Sequence, residues 1–145
     1  MAETSGTIKP TVVAMLVCDQ VIDDKLTNKK SAIGLFNNIL VPRVPTTIPQ
    51  MAVLISVTEI SGRAELQLRL VHDGDNSIIF HTTGLIGAPD PLATVDLLFN
   101  LQGLKMPQAG QHAFEVLCEG EILARRRFHI RVMNIAPSSD AGTQG

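Results

Sequence analysis

The chain has 145 residues, a length that suits one domain with a sizeable core. Hydrophobic residues make up 45% of it and charged residues 18%, a composition that excludes a disordered chain. The formal net charge of -2 argues against nucleic acid and against an anionic membrane as partners. Because no run reaches the roughly 18 apolar residues of a membrane span, and the first residues lack the features of a secretion signal, we predict a cytoplasmic protein.

The two cysteines, Cys18 and Cys118, are too few for a disulfide scaffold. Both lie in apolar stretches that have the pattern of strands. We therefore predict two buried free thiols that pack as small apolar side chains.

The N-terminal part of the chain begins with residues 1–10, which are predicted to be flexible. The apolar run at residues 11–18 starts with β-branched residues and predicts a strand that is buried on both faces. Residues 19–30 are polar and predict a turn or a long hairpin connection.

A second strand is predicted over residues 31–40, where Gly34 indicates a bulge or the close approach of another group. Three prolines then follow at Pro42, Pro45 and Pro49. Because proline cannot donate to a strand ladder, we expect residues 42–49 to cross over in an extended conformation.

The middle of the chain alternates between apolar and polar residues, as strands with one buried face do. Strands are predicted at residues 51–57, 64–71, 78–83 and 93–101, and a loop with glycine and proline at residues 84–91. The residues predicted to face the core are Val53, Ile55, Val57, Leu66, Leu68, Leu70, Val95, Leu97, Phe99 and Leu101.

Two alternating runs on either side of a glycine turn predict a hairpin over residues 110–132. The predicted register places Cys118 opposite Ile122, and Glu115 opposite Arg125 on the outer side. The predicted inward residues are Phe114, Val116, Cys118, Phe128, Ile130 and Val132. The small, polar tail at residues 134–145 is predicted to be disordered.

These patterns give about eight strands with turn signals between them and no convincing helix, which is typical of an all-β protein. One-face alternation requires a second sheet to cover the apolar face. We therefore predict one domain over residues 11–133, a two-layer antiparallel β-sandwich that is Ig-like in architecture only.

The order of these features resembles a family of small bacterial proteins that is known only as a domain of unknown function. The resemblance covers about residues 11–133 and implies a bacterial source and a β-sandwich. It implies no activity, cofactor or site residue. The features that carry it are Cys18 and Asp19 after the first strand, the run at residues 28–36, the proline-interrupted crossover, Leu66, Leu68 and Leu70, and the stretch from Pro107 to Glu121.

The sequence offers no recognisable catalytic or metal motif. The four histidines, His72, His81, His112 and His129, stand outside any nucleophile motif. Cys18 and Asp19 are neighbours on a strand and so point to opposite faces. The aspartates near the turns do not have the spacing of a calcium loop, and zinc motifs are missing. We predict no catalytic residue, no cofactor and no metal.

Two hypotheses on function follow. The first is a non-catalytic module that presents a sheet face or its end loops to a protein partner or to a second copy. The second is a small-ligand binder or an enzyme whose site lies in the end loops at residues 19–30, 42–49 and 84–91.

For the first hypothesis, the closing hairpin offers a possible partner surface. In the predicted register Leu117 and Leu123 lie opposite each other on the outward face, among Glu115, Arg125 and Arg127. Two leucines with a charged rim have the composition of a small interface.

Overall fold

The computed structural model describes residues 9–133. The predicted disordered tail at residues 134–145, and residues 1–8 of the predicted flexible N-terminus, lie outside this range. Nine strands occur within it, one more than the sequence predicts. They are β1 (Thr11–Asp24), β2 (Lys29–Leu35), β3 (Asn38–Val41), β4 (Thr46–Thr58), β5 (Arg63–His72), β6 (Ile78–Gly87), β7 (Val95–Met106), β8 (Gly110–Cys118) and β9 (Glu121–Val132).

The strands form two sheets that pack face to face. The five-stranded sheet has the order β3-β9-β8-β5-β6, and the four-stranded sheet has the order β2-β1-β4-β7. Neighbouring strands are antiparallel except β3 and β9, which run parallel. The predicted two-layer β-sandwich is confirmed, and its Ig-like architecture stays a prediction. No helix in residues 9–133 could span a membrane.

The core lies between the sheets and is built from alternate residues of each strand. Val53, Ile55 and Val57 of β4 are fully buried, as the period-two pattern predicts. Leu66, Leu68 and Leu70 of β5 are buried against them from the opposite sheet. Among the phenylalanines, Phe114 stacks on Phe128 with ring centroids 5.4 Å apart, and Phe36 meets Phe128 edge to face at 5.8 Å.

The predicted hairpin forms between β8 and β9. Its turn residues Glu119 and Gly120 both have positive φ, 50° and 82°, as the favoured two-residue hairpin turn requires. Glu115 pairs with Arg125 as predicted. Cys118 pairs with Glu121, however, so the predicted partner Ile122 is wrong.

Several predicted boundaries are also wrong. The polar residues 19–24 continue β1 and pair with β2, because hydrogen bonding along a hairpin does not require apolar side chains. In the same way β6 extends through the predicted loop to Gly87, and β4 begins at Thr46. The run at residues 11–18 is not buried on both faces, since Val13 is 56% exposed.

Candidate interaction surface

The two outward faces of the sandwich differ in chemistry. On the five-stranded sheet a row of polar residues crosses the strands. Arg69 pairs with Glu115 on β8, and Glu115 pairs with Arg125 on β9. Arg69 Nε donates to Glu115 Oε1 at 2.7 Å, and Arg125 donates to Oε2 from Nε at 2.9 Å and from Nη2 at 2.6 Å. The two arginines cover the carboxylate, which leaves Glu115 only 3% exposed.

This arrangement keeps Glu115 ionised. Burial by itself would raise the pKa of its carboxyl group. The hydrogen bonds from Arg69 and Arg125 and their positive charges outweigh that effect and hold the pKa below its ordinary value of 4.5. The row is therefore an ion-pair network in which the carboxylate of Glu115 is fully hydrogen-bonded, and it makes this part of the face polar.

The geometry predicted for the leucines on this face is wrong. The register shifts between Ile122 and Ala124, so that Ile122 pairs with Leu117 and Leu123 becomes the extra residue of a β-bulge. Leu123 packs against the core, and Leu117 is buried at 4% exposure. Arg127 Nε donates to Asp73 at 3.2 Å. Partner binding by this face stays a prediction.

The outward face of the four-stranded sheet carries a row of apolar residues. Because Val53 and Ile55 point into the core, Leu54 between them points outward. Leu54 pairs with Leu16 on β1 and with Leu98 on β7, so three leucines lie in one row across three strands. All three are half-buried by their neighbours on the face, and none belongs to the core cluster.

The next two rows on one side of the leucines are also uncharged, whereas the row on the other side contains Asp96 opposite Ser56. In one of them Leu35, which is 58% exposed, pairs with Cys18, which pairs with Ala52. In the next, Ile33 pairs with Gln20 and is 42% exposed. Three consecutive rows thus form one surface without a charged residue, which we call the leucine face. Its members are Leu16, Leu54, Leu98, Leu35, Cys18, Ala52, Asn100, Ile33 and Gln20.

Sequence reasoning missed this surface although a signal for it was present. Leu54 and Leu98 are apolar residues on the outward parity of strands that otherwise alternate. Leu16 lies in the unbroken apolar run at residues 11–18, a pattern that predicts burial on both faces. Apolar residues on both parities of neighbouring strands indicate a second apolar face, but only the register shows that the three leucines share one row.

The two cysteines lie in different sheets and do not form one centre. Cys18 lies on the leucine face, where its neighbours bury it, and Cys118 lies on the core side of the other sheet. Both are buried free thiols, as predicted. Within residues 9–133 no three His, Cys, Asp or Glu side chains are close enough to hold a metal ion. Of the predicted end-loop segment at residues 42–49, Pro45, Thr46 and Thr47 line a groove of about 660 Å³.

One pair of histidines, His72 and His112, lies side by side on the paired strands β5 and β8. The rings of His72 and His112 meet edge to face, with centroids 5.0 Å apart. His72 Nδ1 lies 3.1 Å from Asp75 Oδ1, and His112 Nδ1 lies 2.9 Å from the carbonyl oxygen of Gly110. His112 is fully buried, so its ring is a part of the core beside Phe128.

Comparisons with known proteins show the family and the fold. The chain belongs to a family of unknown function, DUF6941, which it matches over residues 13–131. No curated protein matches it. Among solved structures, an alkylpurine DNA glycosylase of Pseudomonas fluorescens bound to abasic-site DNA is similar with a TM-score of 0.50 and 13% identity. A β-glucosidase of Listeria innocua in complex with isofagomine has a TM-score of 0.42 and 9% identity.

The matching region is a small part of each of those proteins. It covers 84% of this chain and 30% of the glycosylase, and 83% of this chain and 16% of the glucosidase. At this identity the likeness to the glycosylase concerns the fold alone.

Proposed function

We propose that this protein is a non-catalytic interaction module, and that it pairs with a second copy of itself through the leucine face. The row of Leu16, Leu54 and Leu98 is the observation that carries the proposal. The outward face of an antiparallel sheet is ordinarily polar, as the arginine-covered face of the other sheet is. A contiguous apolar face is typical of an interaction site.

The absence of charge favours a second copy as the partner. A two-fold interface is self-complementary, so an apolar patch packs against an apolar patch, whereas each charge on it would need an opposite charge at the facing position to offset its desolvation. The three rows of the leucine face contain no charged residue and avoid that cost. The nearest charge along β7 is Asp96, which stands opposite Ser56 and accepts a hydrogen bond from its hydroxyl at 2.7 Å.

Sedimentation velocity over a range of concentrations tests the proposal with Leu54→Lys. In the monomer the lysine stem can lie along the sheet while its ammonium group reaches water. In the dimer the same charge would be buried without a partner. We therefore expect the wild-type protein to form dimers, and the variant to dimerise about a hundredfold more weakly or worse.

The matched control is Gln67→Lys, which adds the same charge to a half-buried strand position on the outward face of the other sheet. It should dimerise like the wild type. A wild-type protein that stays monomeric at its highest soluble concentration refutes self-pairing. Equal dimerisation of Leu54→Lys and the wild type refutes the leucine face as the contact.

A further inference from the structure

Strand β6 has a free edge along its whole length. It is the last strand of the five-stranded sheet and pairs with β5 on one side only. Within residues 9–133 no strand pairs with its other side. Such an edge presents unpaired N–H and C=O groups that can pair with another extended chain.

This edge lacks the features that ordinarily prevent pairing. Its ten residues, Ile78–Gly87, contain no Asp, Glu, Lys, Arg or Pro. An irregularity in the pairing with β5 is confined to its beginning, where Val71 pairs with Ile78 and Leu70 pairs with Phe80. Natural edge strands are blunted by charge, proline, bulges or short length, so a long uncharged edge indicates a binding edge.

The other edge strands of the sandwich have such features. Strand β2 has seven residues and begins with Lys29 and Lys30, and β3 has four residues. Strand β7 contains Asp96 and Lys105, and its Gly103 has a φ of 64° that interrupts regular extension. Among the described strands, β6 is therefore the edge that is open to addition.

A groove lies beside this edge, in the gap between β6 of one sheet and β7 of the other. Its volume is about 660 Å³, and Ile78, Met106 and Pro107 line it together with the start of β4. A second hollow of about 360 Å³ shares Ile79 and Lys105 with it and continues along both strands. Ile78 is 53% exposed, so the groove presents apolar surface to solvent.

Lys105 is the charged residue of this groove. It lines both hollows, and no acidic residue lines either of them. Within residues 9–133 its ammonium group has no salt bridge. Lys105 is exposed, so its ammonium group is available to pair with a carboxylate of a ligand in the groove.

We propose that the edge of β6 binds an extended segment of a partner protein as an added strand. Backbone hydrogen bonds to β6 hold the segment, and its alternate apolar side chains enter the groove between the sheets. A carboxylate of the segment pairs with Lys105. The site meets the leucine face at Asn100, which lines the second hollow, while Leu16, Leu54 and Leu98 line neither hollow.

Selection from a phage-displayed library of random peptides, each of roughly ten residues, tests this site. We expect enrichment of peptides that alternate apolar and polar residues and contain an acidic residue. Synthetic copies of the enriched peptides are then titrated by fluorescence anisotropy. If no peptide class is enriched, or if the enriched peptides bind without an acidic residue or an alternating pattern, the proposal is wrong.

Two variants locate the binding. Ile78→Lys places a charge in the apolar groove and should lower the affinity about tenfold or more. Lys105→Glu should lower the affinity for acidic peptides about fivefold to tenfold and raise it for peptides in which lysine replaces the acid. The matched control Lys25→Glu changes a lysine in the turn after β1 and should leave both affinities unchanged.

Amide hydrogen exchange tests the strand addition itself. The bound peptide should slow exchange in β6 and leave β2 and β3 unchanged, because only β6 gains backbone partners. Unchanged exchange in β6 would refute strand addition even if the peptide binds. Peptide binding to Leu54→Lys should equal that of the wild type, so the result does not depend on the leucine face.

Discussion

Arg125 donates two hydrogen bonds to one carboxylate oxygen of Glu115, from Nη2 at 2.6 Å and from Nε at 2.9 Å. Arg69 occupies the other oxygen, so the carboxylate has charged donors on both sides. These donors satisfy a nearly buried charge on the outward face of the sheet. Leu117 and Ala113 on the same strand are buried as well.

We expect Glu115→Ala to lower the free energy of unfolding by about 1–3 kcal/mol, because it removes charge-assisted hydrogen bonds from a buried position. The arginine side chains are 27% and 39% exposed, so water compensates part of the loss. The matched control Glu65→Ala, at an exposed position of β5, should cost less than about 0.5 kcal/mol. Urea denaturation measures both, and equal losses would contradict the structural role of Glu115.

A second prediction concerns pH and His112. Burial lowers the pKa of its imidazole from 6.5, the neighbouring His72 and His129 lower it further, and the Gly110 carbonyl and Asp73 oppose them. The neutral ring is therefore favoured in the folded state. Above pH 6.5 the His112 imidazole is mainly neutral in both the folded and the unfolded chain. Below pH 6.5 the unfolded chain binds the proton first. The free energy of unfolding should fall as the pH decreases from 6.5 towards the lower folded pKa.

His112→Phe removes that titration while keeping an aromatic ring against Phe128. Denaturation at a series of pH values between about 7 and 5 should show a slope that is smaller by up to about 1.4 kcal/mol per pH unit. His81→Asn alters an exposed histidine and should keep the wild-type slope. If His112→Phe also keeps that slope, another group causes the acid sensitivity.

The third prediction concerns the thiols. Burial raises the pKa of both Cys18 and Cys118, which makes each a poor nucleophile in the folded protein. Both should react slowly with an aromatic disulfide reagent until denaturant is added. Since both are free, a reductant should leave the melting temperature unchanged. Equal reaction rates with and without denaturant, or a lower melting temperature in reductant, would contradict this.

The period-two pattern predicted most core residues correctly because each strand buries one side. Val132, which was predicted to face the core, is 42% exposed because it ends the last strand. Local alternation with polar neighbours is enough to predict that Leu66, Leu68 and Leu70 are buried. The register of the closing hairpin was predicted at Glu115 and Arg125 but not beyond the bulge at Leu123. A bulge inserts one residue without a consistent sequence signal, so the outward partner of Leu117 could not be predicted from alternation.

The leucine face and the β6 edge depend on how distant strands are ordered. Leu16 and Leu98 are 82 residues apart, and both lie beside Leu54 only because β4 stands between β1 and β7. In the same way the edge position of β6 follows from the sheet order and not from its own residues. Local patterns predict which side of a strand is apolar, whereas the topology decides which strands lie at an edge.

At Gly34 the structure agrees with the sequence, which predicts a bulge or the close approach of another group there. Its φ of 75° is in the left-handed region, and a Cβ there would overlap the carboxylate of Asp19 on the neighbouring strand. This is the close approach that a glycine within a strand indicates. Gly62 has nearly the same φ, 77°, and open space where a Cβ would lie, so it is a matched control.

We expect Gly62→Ala to cost about 1–2 kcal/mol, which is the strain of alanine in the left-handed region. Gly34→Ala should cost about 1 kcal/mol more, because the Asp19 side chain must also move. That excess should disappear when Gly34→Ala is made together with Asp19→Ala and compared with Asp19→Ala alone, since the overlap is then relieved. Urea denaturation of the four variants and the wild type measures these differences. If the excess persists without the Asp19 carboxylate, crowding by Asp19 is not the reason for glycine at this position.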